Sequence, residues 1–203
     1  MEKYFRTFIG LPLRVEPHFL QARKDLMSAL DGERISWTDP NQYHVTLRFI
    51  GDTEAASIQR IGSALHAGVT IPERISLEIS GLDSFGPRKG PRVIWVGFEE
   101  YGFFESLKCE VDHALELCGI PVIEQPFRAH LTLGRVRSLQ NLQSYYKTVE
   151  EMDQRFSSAV LFEKLVFFRS ILGPRGPEYR VLDEILFRQE ISPSGSQSKH
   201  HPS

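Results

Sequence analysis

From the start of the chain the apolar positions are aromatic or β-branched and alternate loosely with polar ones, which predicts a strand over residues 4–13. Pro17 then opens a stretch in which Phe19, Leu20, Leu26, Met27 and Leu30 fall on one helical stripe, and Gly32 ends it. Residues 35–37 read as a short strand, 39–41 as a turn and 43–51 as a strong strand. The period turns helical over 53–66, with Asp52 or Thr53 as the N-cap and Gly68 near the end. Strands follow over 75–82 and 93–98, separated by the loop SFGPRKGPR. The second half repeats the plan. Phe104, Leu107, Val111, Leu115 and Cys118 mark a helix over 103–117 that Gly119 closes. A strand is expected over 127–136, a helix over 139–149, a long strand region over 160–172 and a last strand over 179–188. The order makes an α+β protein with helices covering the outer faces of its sheets. One domain is expected over 1–190. SPSGSQSKHHPS, in 191–203, reads as a disordered C-terminal tail.

The chain has 203 residues, of which 41% are apolar and 25% charged, enough to bury a core without disulfides or metal. Lys and Arg number 24 against 26 Asp and Glu, a net charge of −2. That excludes a protein that coats nucleic acid through a global basic field, but not a small site with a few placed arginines. Cys109 and Cys118 lie nine positions apart in one predicted helix, about 13.5 Å, too far to bridge. Two free thiols, no apolar run approaching the ~18 residues of a membrane span, and no secretory leader lead to the expectation of a cytoplasmic protein.

The most informative feature is an echo: HVTL at 44–47 and HLTL at 130–133. In a strand, His44 and Thr46 point to one face and Val45 and Leu47 to the other, and the same holds for His130 and Thr132 against Leu131 and Leu133. The apolar pair anchors the strand, and the His/Thr pair faces a cleft. A chain of this composition would hold one HxTL by chance only roughly 0.02 times, so two copies point to duplication around one site. Two imidazoles can share a reaction at neutral pH, one as base and one as acid, while each threonine offers a hydroxyl to an anionic oxygen. This suits a phosphodiester under in-line attack. Metal binding is the lesser reading, because a catalytic zinc needs three protein ligands and neither motif supplies the spacing. No dinucleotide or nucleoside-triphosphate loop competes.

Five segments in order, YFRTFIGLPL, NQYHVTLRFIGD, GPRVIWVGF, PFRAHLTLGRV and FFRSILGPRGPEY, make the chain resemble the 2H phosphoesterase superfamily over residues 4–186. Within it the chain is similar to the bacterial and archaeal RNA 2′,3′-cyclic phosphodiesterases, also called 2′-5′ RNA ligases or LigT-like proteins. The resemblance implies two pseudo-symmetric lobes whose antiparallel sheets line a central cleft, with helices outside. It implies that His44 is the proton donor to the leaving 3′ oxygen and His130 the proton acceptor that activates water. Thr46 and Thr132 complete the catalytic set. It also implies opening of the ring to a 2′-phosphate without metal or cofactor, the reverse being 2′-5′ ligation. RNA ends or cyclic nucleotides are the implied substrate of a monomer that needs no membrane. Two alternatives stand beside this: an RNA-binding module that kept the fold alone, or a 2H enzyme acting on ADP-ribose cyclic phosphate or 2′-5′ oligoadenylate.

Phe49 and Arg135 each follow a motif histidine by five positions. The family places an aromatic and an arginine there, suited to holding a base. In an ideal strand an odd offset puts both on the wrong face, so a twist or bulge has to re-aim them. Arg48 and Arg128 share the histidines' parity and are expected to line the cleft as substrate-binding residues. Arg88, Lys89 and Arg92 form a basic loop within reach of phosphates. Tyr43 and Trp37 read as packing, and His18, His66 and His113 as surface residues.

Overall fold

In the computed structural model, residues 3–122, 125–173 and 176–189 are described. They form β1 (Tyr4–Pro12), α1 (Pro17–Ala29), β2 (Arg34–Trp37), β3 (His44–Glu54), α2 (Ile58–Gly68), β4 (Ile75–Phe85) and β5 (Val93–Phe98). After these come α3 (Gly102–Leu117), β6 (Leu131–Ser138), α4 (Leu142–Met152), β7 (Ser158–Phe162), β8 (Lys164–Gly173) and β9 (Gly176–Leu186). The strands pair antiparallel in the order β7-β4-β5-β6-β3-β1-β8-β9, with β2 added on β6.

This curled sheet is two four-stranded lobes, β3-β1-β8-β9 and β6-β5-β4-β7, joined where Val45 of β3 pairs with Leu131 of β6. The lobes are not the two halves of the sequence. Helix α2 packs on α3 and β9, and α3 packs on β3, while α1 packs on α4 and α4 on β4. The first half of the chain, β1 to β5, thus sends α1, β2, β4 and β5 into the lobe of β6, and the second half sends α3, β8 and β9 into the lobe of β3. The main core lies between helices and sheet, where Ile9, Leu11, Val45, Leu47, Ile61, Leu131, Leu133 and Phe104 are all buried. Phe8, Val166 and Phe168 form a second, small cluster on the opposite face of the sheet, against Tyr179.

Most expected elements are present, and the shifts have local causes. The helix expected from 53 begins at Ile58, because β3 runs on to Glu54 and a 3₁₀ turn follows. Thr53 does not cap it; its buried hydroxyl bonds Thr7 across the ladder at 2.6 Å. The strand expected from 127 starts at Leu131. The helix expected from 139 starts at Leu142, where the Asn141 side chain accepts the Ser144 N–H at 2.9 Å. The region 160–172 divides into β7 and β8 around Glu163. Gly119 ends α3 at φ +75°, where a side chain would be strained. The tail expected over 191–203 lies outside the described residues. Among the described residues no helix is long and apolar enough to cross a membrane.

Candidate active site

The pairing of Val45 with Leu131 joins equivalent positions of the two motifs, so a local two-fold axis passes through it. An antiparallel pair centred there sets His44 alongside Thr132 and Thr46 alongside His130, with directly opposed Cβ atoms about 4.5–5.5 Å apart. Val45 and Leu131 are buried in the core, while the four His and Thr side chains are half-buried on the concave face. Neither threonine hydroxyl has a hydrogen-bond partner among the described residues. The motif residues read from the sequence therefore do come together, two imidazoles and two free hydroxyls around one point.

Both histidines are oriented the same way. His44 Nδ1 lies 2.8 Å from the Gln42 carbonyl oxygen, and His130 Nδ1 lies 2.8 Å from that of Arg128. A carbonyl only accepts, so Nδ1 carries the hydrogen in each ring and Nε2 is left for chemistry. A neutral Nε2 is a base; protonated, it is an acid. Each ring also stands edge-on to an aromatic wall: His44 against Tyr179 at 4.9 Å and 80°, His130 against Phe85 at 4.8 Å and 87°.

A bulge in each motif strand explains the residues five positions on. Ile9 pairs with Arg48 and Gly10 with Thr46, leaving Leu47 unpaired; Ile94 pairs with Gly134 and Trp95 with Thr132, leaving Leu133 unpaired. The extra leucine reverses the alternation beyond it. Phe49 thereby joins the concave face, 52% exposed and 5.7 Å from the Phe8 ring that touches His44. Arg135 is exposed and its charge bears on both histidines. The same reversal sends Arg48 the other way, so the expectation that it lines the cleft is wrong. Arg48 is 6% exposed beneath the sheet, 3.6 Å from Asp112 of α3, and it donates to the Pro121 carbonyl at 2.6 Å. Its counterpart after the second motif is Gly134, where a side chain would press on Ile35 and Trp37. Arg128 does stand at the cleft, its guanidinium 4.3 Å from the Trp95 ring centre.

Parity arguments from the sequence missed the walls: Phe8, Phe168 and Tyr179 on the His44 side, Phe85 and Trp95 on the His130 side. Phe8, Phe168, Tyr179 and Trp95 lie inside the segments that carry the family resemblance, but only the sheet order brings them to the histidines. These walls set the electrostatics. Burial pushes His44 down to about 4; the bond to Gln42 opposes this, and His130 and Arg135 add to it. His130 is also lowered, first by burial and then by Arg135 and Arg128, against its bond to the Arg128 carbonyl.

The other candidates play no part in this cluster. Arg88, Lys89 and Arg92 sit exposed on the β4–β5 hairpin, whose root residue Phe85 touches His130. Tyr43 is buried against Phe19, His18 reaches the Ser157 carbonyl, and His66 pairs with Asp183 on the helix-covered side of the sheet. Among the described residues no three His, Cys, Asp or Glu are grouped to hold a metal ion.

The model of the LigT like phosphoesterase family matches residues 9–95 and 104–179, spanning both motifs. The RNA 2′,3′-cyclic phosphodiesterase of Aeropyrum pernix is 32% identical over 155 residues, 76% of this chain and 87% of that protein. That of Archaeoglobus fulgidus is 30% identical over 182 residues, 87% and 97% of the two chains. In fold the chain is similar to TT0787 of Thermus thermophilus, with a TM-score of 0.67 and 22% identity over 91% of this chain and 99% of that one. It is similar also to apo E. coli LigT, with a TM-score of 0.64 and 16% identity over 93% and 100%. By sequence, by fold and by its paired histidine motifs, the chain belongs to the LigT-like phosphoesterase family.

Proposed function

We propose that this protein is an RNA 2′,3′-cyclic phosphodiesterase that opens the cyclic end to a 2′-phosphate by paired histidine acid–base catalysis. The observation that carries the reading is the two-fold placement of His44 and His130, each with Nε2 free and each beside the other motif's threonine. The names of its relatives support the substrate class. A phosphate seated between the imidazoles meets both hydroxyls. His130 Nε2 takes the proton of a water, whose oxygen attacks phosphorus in line. His44 Nε2–H gives its proton to the departing 3′ oxygen. The charge that grows on the non-bridging oxygens is met by Thr46, Thr132 and Arg135.

The surroundings of the two rings differ. Arg128 and Arg135 both oppose protonation of His130, which suits a base. His44 faces aromatic rings and, of these two cations, answers chiefly to Arg135. An anionic phosphate beside it favours the protonated form an acid requires. In the empty site His44 is hard to protonate, so the assignment depends on bound substrate. No metal enters any step. We assign the base of the substrate to Phe49, with Arg135 beside it on the reacting phosphate, and a cytoplasmic monomer as the setting. Cys109 and Cys118 are both free, which suits a reducing compartment.

The test is incubation with adenosine 2′,3′-cyclic phosphate in buffers with and without EDTA, with the product followed by phosphorus NMR. Adenosine 2′-phosphate is the expected product. The 3′-phosphate would reverse the polarity of attack, and no turnover in either buffer would sink the assignment. Activity lost in EDTA and restored by zinc or manganese would replace the acid–base pair with a metal.

A further inference from the structure

Beyond the reacting centre, the lobe that carries His44 presents a row of polar side chains with nothing to bind. Arg6 of β1 pairs with Ser170 of β8, and Ser170 with Tyr179 of β9. Directly paired residues share a face. The next row along is Phe8, Phe168 and Val181, and Phe8 touches His44 with ring centres 4.9 Å apart. The polar row therefore sits on the concave face, two residues or roughly 7 Å further along β1 than Phe8.

Tyr179 is held by two rings, edge-on to His44 at 4.9 Å and to Phe8 at 5.0 Å. Its hydroxyl makes no hydrogen bond among the described residues, and neither does that of Ser170. Arg6, exposed, makes no hydrogen bond or ion pair there. Burial raises the Tyr179 phenol, and the charges of Arg135 on β6 and Arg6 on β1 both oppose this, so both cations face its side of the cleft. Asp52, which pairs with Arg6 from β3, shares the face without bonding to it. Exposed apolar surface borders the row at Phe49 and Val181, 52% and 55% accessible.

Two hydroxyl donors and a guanidinium without acceptors, beside aromatic and aliphatic surface, have the chemistry of a second phosphate with its nucleoside neighbours. The cyclic phosphate occupies the point between the two motifs, and its base is placed at Phe49. The chain leading to that nucleotide then continues over β1, toward Arg6. We propose that Arg6, Ser170 and Tyr179 form an anion subsite for the phosphodiester on the 5′ side of the terminal nucleotide, which makes an RNA end the preferred substrate over a free cyclic nucleotide. This rests on the phosphodiesterase reading above. Arg135 belongs to the reacting phosphate and only bounds the subsite.

The experiment compares adenosine 2′,3′-cyclic phosphate with an adenosine trinucleotide ending in the same group. Wild-type protein should show a lower KM for the trinucleotide. Arg6→Gln should raise the trinucleotide KM by roughly tenfold, a charge-assisted contact, and raise that of the mononucleotide far less. Tyr179→Phe should act in the same direction and more weakly. Asp52→Asn should lower the trinucleotide KM by removing a repelling charge. For Arg6→Gln the slope of log KM against log salt should shrink by about 0.7, one single-strand phosphate contact. A structural role would impair both substrates equally and leave the slope alone. That result, or no change on either substrate, overturns the subsite.

Titration of the wild type and Arg6→Gln with the trinucleotide 2′-phosphate and with adenosine 2′-phosphate separates the two readings without turnover. Arg6-dependent binding of the trinucleotide without hydrolysis would leave the subsite standing and remove the phosphodiesterase reading. Hydrolysis with Arg6-independent binding would do the reverse.

Discussion

Gly10 and Trp95 occupy equivalent places on the two sides of the cleft, Gly10 opposite Thr46 and Trp95 opposite Thr132. A Cβ on Gly10 would lie 2.7 Å from the Val45 carbonyl oxygen and 3.5 Å from His44 Cδ2. Trp95 fills the matching space beside His130, stacked on Phe85 at 4.6 Å and overlaid by the Arg128 guanidinium. The same four-residue motif thus works on a bare floor with aromatic walls in one lobe and on a filled floor with cations in the other. Two nearly identical sequences thereby acquire different neighbours, which a division into acid and base requires.

Gly10→Ala tests the bare floor. The oxygen in the way is backbone, so the strand must move, at a cost of about 1–3 kcal/mol typical of overpacking. The shift displaces His44, and kcat should fall more than thermal stability alone predicts. Melting temperature and kcat measured together check this; a variant with wild-type values in both would mean the approach is not constrained.

Replacing the histidines separately should reveal their roles. His130→Ala should cost roughly 10²–10⁴ in rate on any diester. His44→Ala should cost a similar factor with a ribose leaving group and much less on a p-nitrophenyl diester, whose phenolate departs without a proton. Rescue of His130→Ala instead would exchange the assignments. Thr46→Ala and Thr132→Ala should slow both substrates, because the hydroxyls stabilise phosphate charge whatever leaves.

The pH dependence of kcat/KM should be bell-shaped with both limbs below 6.5, since His44 is pushed down to about 4 and His130 is lowered too. The two limbs belong to the pair rather than to one ring each. The kcat profile should lie at higher pH, because bound phosphate favours the imidazolium. Steady-state kinetics from about pH 3 to about pH 9, roughly a unit below the lower group and more than two above the ordinary histidine value, reads both curves; a kcat/KM maximum above 7 would contradict the buried environment of the rings.

Stability should follow the same groups. The ordinary value for His44 is 6.5 and its folded value is about 4, so the unfolded chain binds the proton more tightly. Protonation favours unfolding, stability is complete above 6.5, and it is lost as pH falls toward 4. His130 adds a loss of the same sign. Melting curves over this range should show a falling Tm, flattened in His44→Gln.

Arg48→Met should destabilise without touching the cleft directly. It leaves Asp112 buried beside Lys108 alone and frees the Pro121 carbonyl. Losing one partner of a buried pair costs about 3–5 kcal/mol, and the remaining lysine places this variant near the lower figure. Chemical denaturation measures it; a loss in kcat without a loss of stability would return Arg48 to the substrate.

Most elements, the duplicated motif and the reading of its histidines as phosphate chemistry were legible along the chain. These rest on local rules: strand alternation, helical stripes, and residue types whose chemistry is fixed by composition. Val45 and Leu131 pointed to the core, and His44, Thr46, His130 and Thr132 to the other face, with no knowledge of the partner strand. Tertiary structure alone decided what crosses between strands. The unpaired Leu47 and Leu133 exist only relative to β1 and β5, and they turned Phe49 and Arg135 toward the cleft and Arg48 beneath it. Likewise the exchange of helices and strands between lobes placed Tyr179 beside His44 and Phe85 beside His130. Register and sheet order are properties of pairs of segments far apart in the chain, so alternation along one segment could not reveal them.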